Sequence, residues 1–394
     1  MRYILLFLII FSTRAFYAQD SVTVEIQDQI RYNKGFEFTS KDGMYQLHLE
    51  GRLQFRFATP DDQNPLTYED FNSGDKEVFK INRARLKIGG HAYQPWLKYY
   101  FEYELSQGNL LDFRIMIEKW PFLKFKIGQW KTYYGRERSI SSGKQQMLER
   151  SIINRPFTLD RQQGVEVYGR VFPETSFDLT YHISILTGTG RGVTSNDDGH
   201  FMYAGRLQYN LFGRELDFIG SDTDFHDEFT GLIAVGAATN RGIYTRFSQS
   251  GGGQLSGYED GEEDQYRIKQ WMQESAFMYR GFSWQQELHF KEIYDHVNLT
   301  TRSLSGYYVQ AGYFMNGLIH GIPEKMELAG RYARYQPDRN QDGLIEEEYS
   351  LAFNWFFSGH RNKLTIDYTW FNLENPALRD ENKGRFRIQW DISF

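Results

Sequence analysis

The sequence predicts an all-β chain closed into a transmembrane antiparallel β-barrel of about sixteen strands. Three observations carry this. Segments of apolar–polar alternation recur along most of the chain. The chain ends on such a segment, with an aromatic as its last residue. The connections between segments are by turns long and short. Period-two alternation gives a strand one greasy and one wet face, and ~9–11 residues of strand cross a bilayer.

The last stretch is the cleanest. In Arg385 to Phe394, RFRIQWDISF, the residues Phe386, Ile388, Trp390, Ile392 and Phe394 alternate with Arg385, Arg387, Gln389, Asp391 and Ser393. A terminal strand of a soluble sandwich would usually be shorter and carry a tail. Within lipid such a strand must pair with the first one, because an open edge leaves backbone groups unsatisfied.

Composition agrees. The chain is long for one soluble core, yet no linker divides it. Aromatic residues make up 17% with only nine prolines, and the mean hydropathy is −0.60. A barrel reads this way because only one strand face meets lipid. There is no cysteine, so neither disulfide nor thiolate chemistry arises. Arg2, the apolar run Ile4 to Phe11 and the small Ala18 read as a signal peptide over residues 1–18. That run is well short of the ~18 residues of a membrane helix. Residues 19–43 are then a periplasmic N-terminal segment. Residues 44–394 form the barrel, in the cell outer membrane, with long extracellular loops. The net charge of −6 gives no support to nucleic-acid binding. Its acids cluster between the alternating segments, as in Glu259 to Asp264, while many bases lie within them.

Taken in order, Leu47 to Phe57 alternates with Gln46 to Arg56. Ala84, Leu86 and Ile88 alternate with Arg83, Arg85 and Lys87. Strands follow over 97–104, 112–117, 123–128, 165–171, 177–185 and 203–211. Less regular ones lie near 228–239, 267–280, 282–294 and 303–314, and the final four near 325–335, 346–357, 361–373 and 384–394. With both termini periplasmic, the outer gaps 58–78, 132–162, 188–200, 240–266 and 336–345 are long. The inner ones, such as Trp120-Pro121 and Arg280-Gly281, are short. This is the parity of a membrane barrel. The stretch 212–227 is long on the short side, where a strand could be miscounted.

Several segments in series resemble the phosphate-selective porin O/P family. They are KGFEFTSKDGMYQLHLEGRLQFRF, INRARLKIGGHAYQPWLKYYFEYEL, KIGQWKTYYGRE with ERS and DRQQGVEVYG, and the tail NWFFSGHRNKLTIDY with RFRIQWDISF. The resemblance runs from about residue 34 to the C-terminus. It implies a sixteen-stranded homotrimeric porin whose lumen carries a ladder of basic residues, narrowed by inward-folded loops, through which anions such as phosphate pass. Arg52 in GRLQ and Arg83 in NRAR match the family pattern, which implies a pore-lining role. Asn82 stands where a second arginine is expected beside Arg83. The family's narrowest point uses a lysine, for which Lys144 is the candidate in the 132–162 loop.

Anion pores place Arg and Lys on their walls, and the planar fork of Arg suits phosphate. Alternation alone assigns Arg52, Arg56, Arg83, Arg85, Lys87, Lys126, Arg206 and Arg331 to the lumen. The plainer reading pairs each with a lumen carboxylate such as Glu50, Glu102, Glu104 or Glu166. Arg83, Arg85 and Lys87 resist it best, as three bases on one face with no acid between them. The 132–162 loop carries Arg136, Arg138, Lys144, Arg150, Arg155 and Arg161 beside Glu137, Glu149 and Asp160. Either it constricts the pore, through Lys144 and Arg150, or its ion pairs merely anchor it.

Other motifs are weak. Asp338, Asn340, Asp342 and Gly343 open like a calcium loop, but Tyr349 holds the terminal ligand position. His182 and Ser184 share a face without a third triad partner. Gly251 to Gly253 precede neither helix nor lysine. We therefore expect a passive channel, with no cofactor, metal or catalytic residue, whose partners are inorganic anions or small solutes and the surrounding lipid. The alternatives are a general or sugar porin using lumen aromatics such as Tyr100 and Tyr168, an outer-membrane enzyme, and an adhesin.

Overall fold

The computed structural model describes residues 30–60, 62, 77–196, 199–249, 251–317, 319, 321–374 and 381–394. The signal peptide expected over 1–18 lies outside them. Sixteen strands form the wall: β1 (Gln46–Thr59), β2 (Val78–Ala92), β3 (Gln94–Glu104), β4 (Asn109–Trp120), β5 (Leu123–Lys131), β6 (Arg161–Val171), β7 (Leu179–Leu186), β8 (Met202–Leu211), β9 (Thr230–Gly242), β10 (Tyr266–Tyr279), β11 (Phe282–Asp295), β12 (Thr300–Phe314), β13 (Met326–Gln336), β14 (Glu346–Phe356), β15 (Asn362–Leu373) and β16 (Glu381–Ser393). Each pairs antiparallel with the next. β16 closes on β1 from Phe386 opposite Thr59 to Ser393 opposite Arg52. Closure leaves no wall strand with an open edge in lipid.

The two faces separate as the alternation requires. On β1, Leu53 and Phe55 are 36% and 47% exposed on the outside, whereas Gln54 and Arg56 are 0% and 1% exposed inside. The wet face is the buried one because chain fills part of the lumen. Phe394 completes the seam. Its amide donates to the Gly51 carbonyl (2.9 Å) and its carbonyl accepts from the Gly51 amide (2.8 Å). Its ring lies where a Cβ on residue 51 would stand, 2.6 Å away.

Two departures from simple alternation matter. Gln54 faces Arg83 and Phe55 faces Ile81, so Asn82 is an extra residue on β2. This bulge turns Phe79 and Ile81 outward on one side, and Arg83, Arg85 and Lys87 inward on the other. In addition, Ile30–Tyr32 and Phe36–Thr39 within the expected periplasmic segment form a short hairpin. Its second strand pairs with β1 from Phe36 opposite Leu49 to Thr39 opposite Gln46, beyond where β16 ends.

The face assignment carries a prediction. Leu86→Arg should destabilise the barrel by about 2–4 kcal/mol if it lies near the midplane, because the charge enters lipid. Lys87→Ala should fold normally. Urea unfolding in lipid checks this, and equal defects would mean that the face or the register is wrong.

The connections largely keep the expected parity. At the end away from the termini, residues 132–160, 187–201, 243–265 and 337–345 are long, although 105–108 and 296–299 are tight turns. At the terminal end most are short. Residues 212–229 are not, yet they contain no strand among those described, so the wall still has sixteen. Their length has another cause, found inside the barrel.

Candidate functional site: the lumen and its neck

The 132–160 connection folds into the lumen. It carries two helical turns, α1 (Arg136–Ser139) and α2 (Asn154–Phe157). Ile152, Ile153, Phe157 and Leu159 join Trp130, Phe247, Met272 and Tyr308 in one apolar cluster. The loop's polar groups bind the wall of β11 to β15. Gln146 donates to Ser283 (2.9 Å) and Glu327 (2.6 Å). The Ile152 amide donates to Glu348 (2.9 Å), and Asn354 and Lys291 donate to the carbonyls of Gln146 (3.0 Å) and Pro156 (2.9 Å). From the terminal end, residues 212–229 meet the same loop. Arg136 donates to the Asp217 carbonyl (2.7 Å), and the Gly220 amide to that of Lys144 (2.8 Å). That contact is why this connection is long.

The loop so held leaves open space along β1 to β6, reaching β13 to β16 on the loop side. A cavity of about 360 Å³ lies on the loop side and one of about 780 Å³ on the terminal side. The first is lined by eleven Arg and Lys against four Asp and Glu, the second by ten against four. Among the described residues three line both, and all are basic: Arg85, Lys131 and Arg161. They form the neck. Opposite them runs the small-residue edge of the loop, Ser139 to Gly143. Arg52 reaches the hydroxyl of Ser142 (3.2 Å) there. Gly143 approaches so closely that a Cβ would stand 2.5 Å from the Arg52 Cζ.

The expected residues divide over this geometry. Arg52, Lys87 and Lys144 line the terminal-side cavity, Arg83, Arg150 and Arg331 the loop-side one, and Arg85 the neck. Arg56, Lys126 and Arg206 face inward but line neither. Arg56 is held by Asp62 (3.0 Å) and Glu149 (2.8 Å), and Lys126 by Glu166 (2.8 Å) beneath Tyr133 and Tyr168. Arg206 is held by Glu274 (2.8 Å).

No acid lies between Arg83, Arg85 and Lys87 on β2, but the expectation that they resist pairing requires a correction. Arg83 meets Glu149 (3.2 Å), Arg85 meets Glu102 (2.7 Å) and Glu104 (2.8 Å), and Lys87 meets Glu50 (2.7 Å). The acids come from β1, β3 and the loop rather than from β2, so a scan along one strand does not find them. Arg52 likewise pairs with Asp391 (3.0 Å) and Arg331 with Glu348 (2.5 Å). Net positive charge therefore resides in the surplus over these pairs.

Two loop bases belong to that surplus. Arg150 spends its donors on the carbonyls of Glu137 (3.0 Å) and Ile140 (2.8 Å). Lys144 is exposed in the terminal-side cavity, with no side-chain partner among the described residues. Lys131, which face parity counted from Lys126 would send outward, lies in the neck. Its Nζ is 3.5 Å from the Ile140 carbonyl and meets no carboxylate among the described residues. Lys131 is still paired with Arg161, but Gln129 and Trp130 before it are both buried, so strict alternation has already broken and parity no longer decides the direction of its side chain.

Glu149 couples loop to wall. Burial would raise its carboxyl, but Arg83, Arg56 and Arg387 outweigh that and hold it well below its ordinary value. A depressed carboxyl contributes stability above its unfolded pKa and loses it only as pH falls through the lowered folded value. We expect Glu149→Gln to loosen the loop at neutral pH, by about 3 kcal/mol as for one member of a buried pair. It should appear as larger, noisier single-channel steps. The wild type should show such steps only well below pH ~4.3, where an unperturbed Glu titrates.

The other motifs resolve into structure. His182 Nδ1 and Ser184 Oγ both meet Glu166 (2.9 and 3.1 Å) rather than each other. Asp338 accepts from the Asn340 amide (2.9 Å) in a turn. Gly251–Gly253 pairs in a small hairpin with Arg246–Gln249. Tyr100 and Tyr168 face inward, but Arg114 covers the Tyr100 ring at 4.5 Å and the Tyr168 hydroxyl donates to Glu118 (2.6 Å).

A closed sixteen-stranded barrel with a loop folded into a polar lumen defines the class, an outer-membrane porin. The family model for phosphate-selective porin O and P matches residues 52–384, and the chain belongs to that family. No curated protein matches the sequence significantly. Solved structures share the fold. The anion-selective porin from Comamonas acidovorans is 11% identical, with TM-score 0.59, covering 89% of this chain and 100% of its own. The channel DcaP of Acinetobacter baumannii is 11% identical, with TM-score 0.58, covering 91% and 99%. The trimer form of OmpT, an outer membrane protein of Vibrio cholerae, is 9% identical, with TM-score 0.53, covering 88% and 99%. At these identities the likeness concerns fold alone.

Proposed function

We propose that this porin is a passive channel preferring anions, phosphate among them, and that the preference is set at the Arg85–Lys131–Arg161 neck. The observation that carries this is that, among the described residues, the two cavities share only these three bases. An anion entering the neck sheds part of its hydration, and fixed donors replace it. A charge in this confined space acts across a lower effective dielectric than in bulk water. The carboxylates hold Arg85 and Arg161 in place: Asp112 accepts from Arg161 at 2.6 Å, and Glu102 lies 3.7 Å from it. Lys131 is left to face the passing ion. Assembly as a homotrimer with extracellular long loops belongs to the same reading and is supported by family membership.

The test is block of chloride current by inorganic phosphate in a planar bilayer. Block is expected at millimolar phosphate, about fivefold weaker in Lys131→Gln, which removes about 1 kcal/mol of attraction. Absence of block in the wild type would rule out phosphate as a preferred ion. A sugar porin would instead show block by neutral oligosaccharides.

A further inference from the structure

Outside the barrel, on the face of β7 to β12, the register sets up three rows. The first crosses Ile183, Gly205, Ala237, Trp271 and Phe290. Gly205 and Ala237 are small, and Trp271 and Phe290 stack at 4.4 Å beside them. The result is an outward-facing groove of about 980 Å³. One row nearer the long loops, Thr239, Lys269 and Glu292 stand side by side, and beyond them Arg241 and Arg267. Arg339 descends from the 337–345 connection. Its amide bonds the Ser303 carbonyl (2.8 Å) and its guanidinium lies 5.4 Å from the Phe290 ring. Arg241 is near Asp264 (3.6 Å), but Arg267, Lys269 and Arg339 make no ion pair among the described residues.

A soluble surface scatters such charges in water. Here they cap an apolar groove that opens to hydrocarbon, with an aromatic pair at the boundary where interfacial rings sit. We propose that this face binds a phosphate-bearing lipid of the leaflet on the loop side. An acyl chain lies over Gly205 and Ala237, and the headgroup phosphate meets Arg267, Lys269 and Arg339. Charge complementarity selects the occupant: three unpaired cations face one acid, Glu292, so an anionic headgroup fits and a zwitterionic one does not. The site is separate from the lumen, so its loss should leave conduction unchanged.

The test uses the full-length protein folded in detergent, with bound lipid counted by native mass spectrometry after addition of lipid A or a phosphocholine lipid. Each base near an anionic lipid headgroup contributes about fivefold. The triple variant Arg267→Gln, Lys269→Gln, Arg339→Gln should therefore retain lipid A at least ~tenfold less well. Ala237→Trp, which fills the groove and leaves the cations, should also lose it. Both should stay heat-modifiable and conduct as the wild type. Equal retention by either variant, equal retention of the phosphocholine lipid by the wild type, or displacement of lipid A by millimolar inorganic phosphate would overturn the proposal.

Discussion

Lys131→Glu is expected to lower the chloride-over-potassium permeability ratio about thirtyfold, the largest effect on selectivity of any single substitution. Lys131 has no carboxylate partner among the described residues, and its nearest acceptor is the Ile140 carbonyl at 3.5 Å. Its loss therefore strands no acid, unlike loss of Arg161, which would leave Asp112 with Arg114 alone. Two unit charges at ~4 Å interact by ~4 kcal/mol at an effective dielectric of ~20. Water and mobile ions in the neck reduce this to about 1 kcal/mol per unit change, and reversal changes two units. The effect should shrink in 1 M salt, where the screening length is ~3 Å. An unchanged reversal potential would move selectivity elsewhere in the lumen, with Lys144 and Arg150 the next to test.

Removing Ile392 to Phe394 should abolish assembly into the outer membrane while leaving export intact. These residues carry Ile392 opposite Leu53, Ser393 opposite Arg52 and both hydrogen bonds between Phe394 and Gly51. Without them the seam opens at the terminal end, and each unsatisfied backbone group in hydrocarbon costs several kcal/mol. Gly51→Val should weaken the same seam, because the Phe394 ring occupies the space its side chain needs. The readouts are heat-modifiable mobility and trypsin resistance. Normal barrels from the truncated chain would show that the seam does not depend on these residues.

The wall was legible in the sequence because lipid imposes a period of two. Leu53, Phe55, Leu86 and Trp390 announce their face by type, and Arg52, Arg56 and Lys87 face inward as alternation requires. Three things were not legible. The bulge at Asn82 is visible only once β2 is set against β1. Glu50, Glu102 and Glu104 stood as possible lumen partners, but which base each takes depends on cross-strand register, which places Glu50 opposite Lys87 and Glu104 opposite Arg85. Lys131 and Arg161 stand where β5 ends and β6 begins, and the loop between them turns them into the neck. The length of 212–227 suggested a miscounted strand, but the 212–229 connection that contains it is a strut for the inward loop. The loop's role was posed as constriction or anchoring. Its contacts to β11–β15 anchor it, and its Ser139–Gly143 edge narrows what remains.

The reversal potential of the wild-type channel in a planar bilayer, under a tenfold gradient of potassium chloride, tests the central claim most directly. The surplus of bases along both cavities and the all-basic neck predict a potential toward the chloride equilibrium value. A potential near zero, or toward that of potassium, would contradict the account.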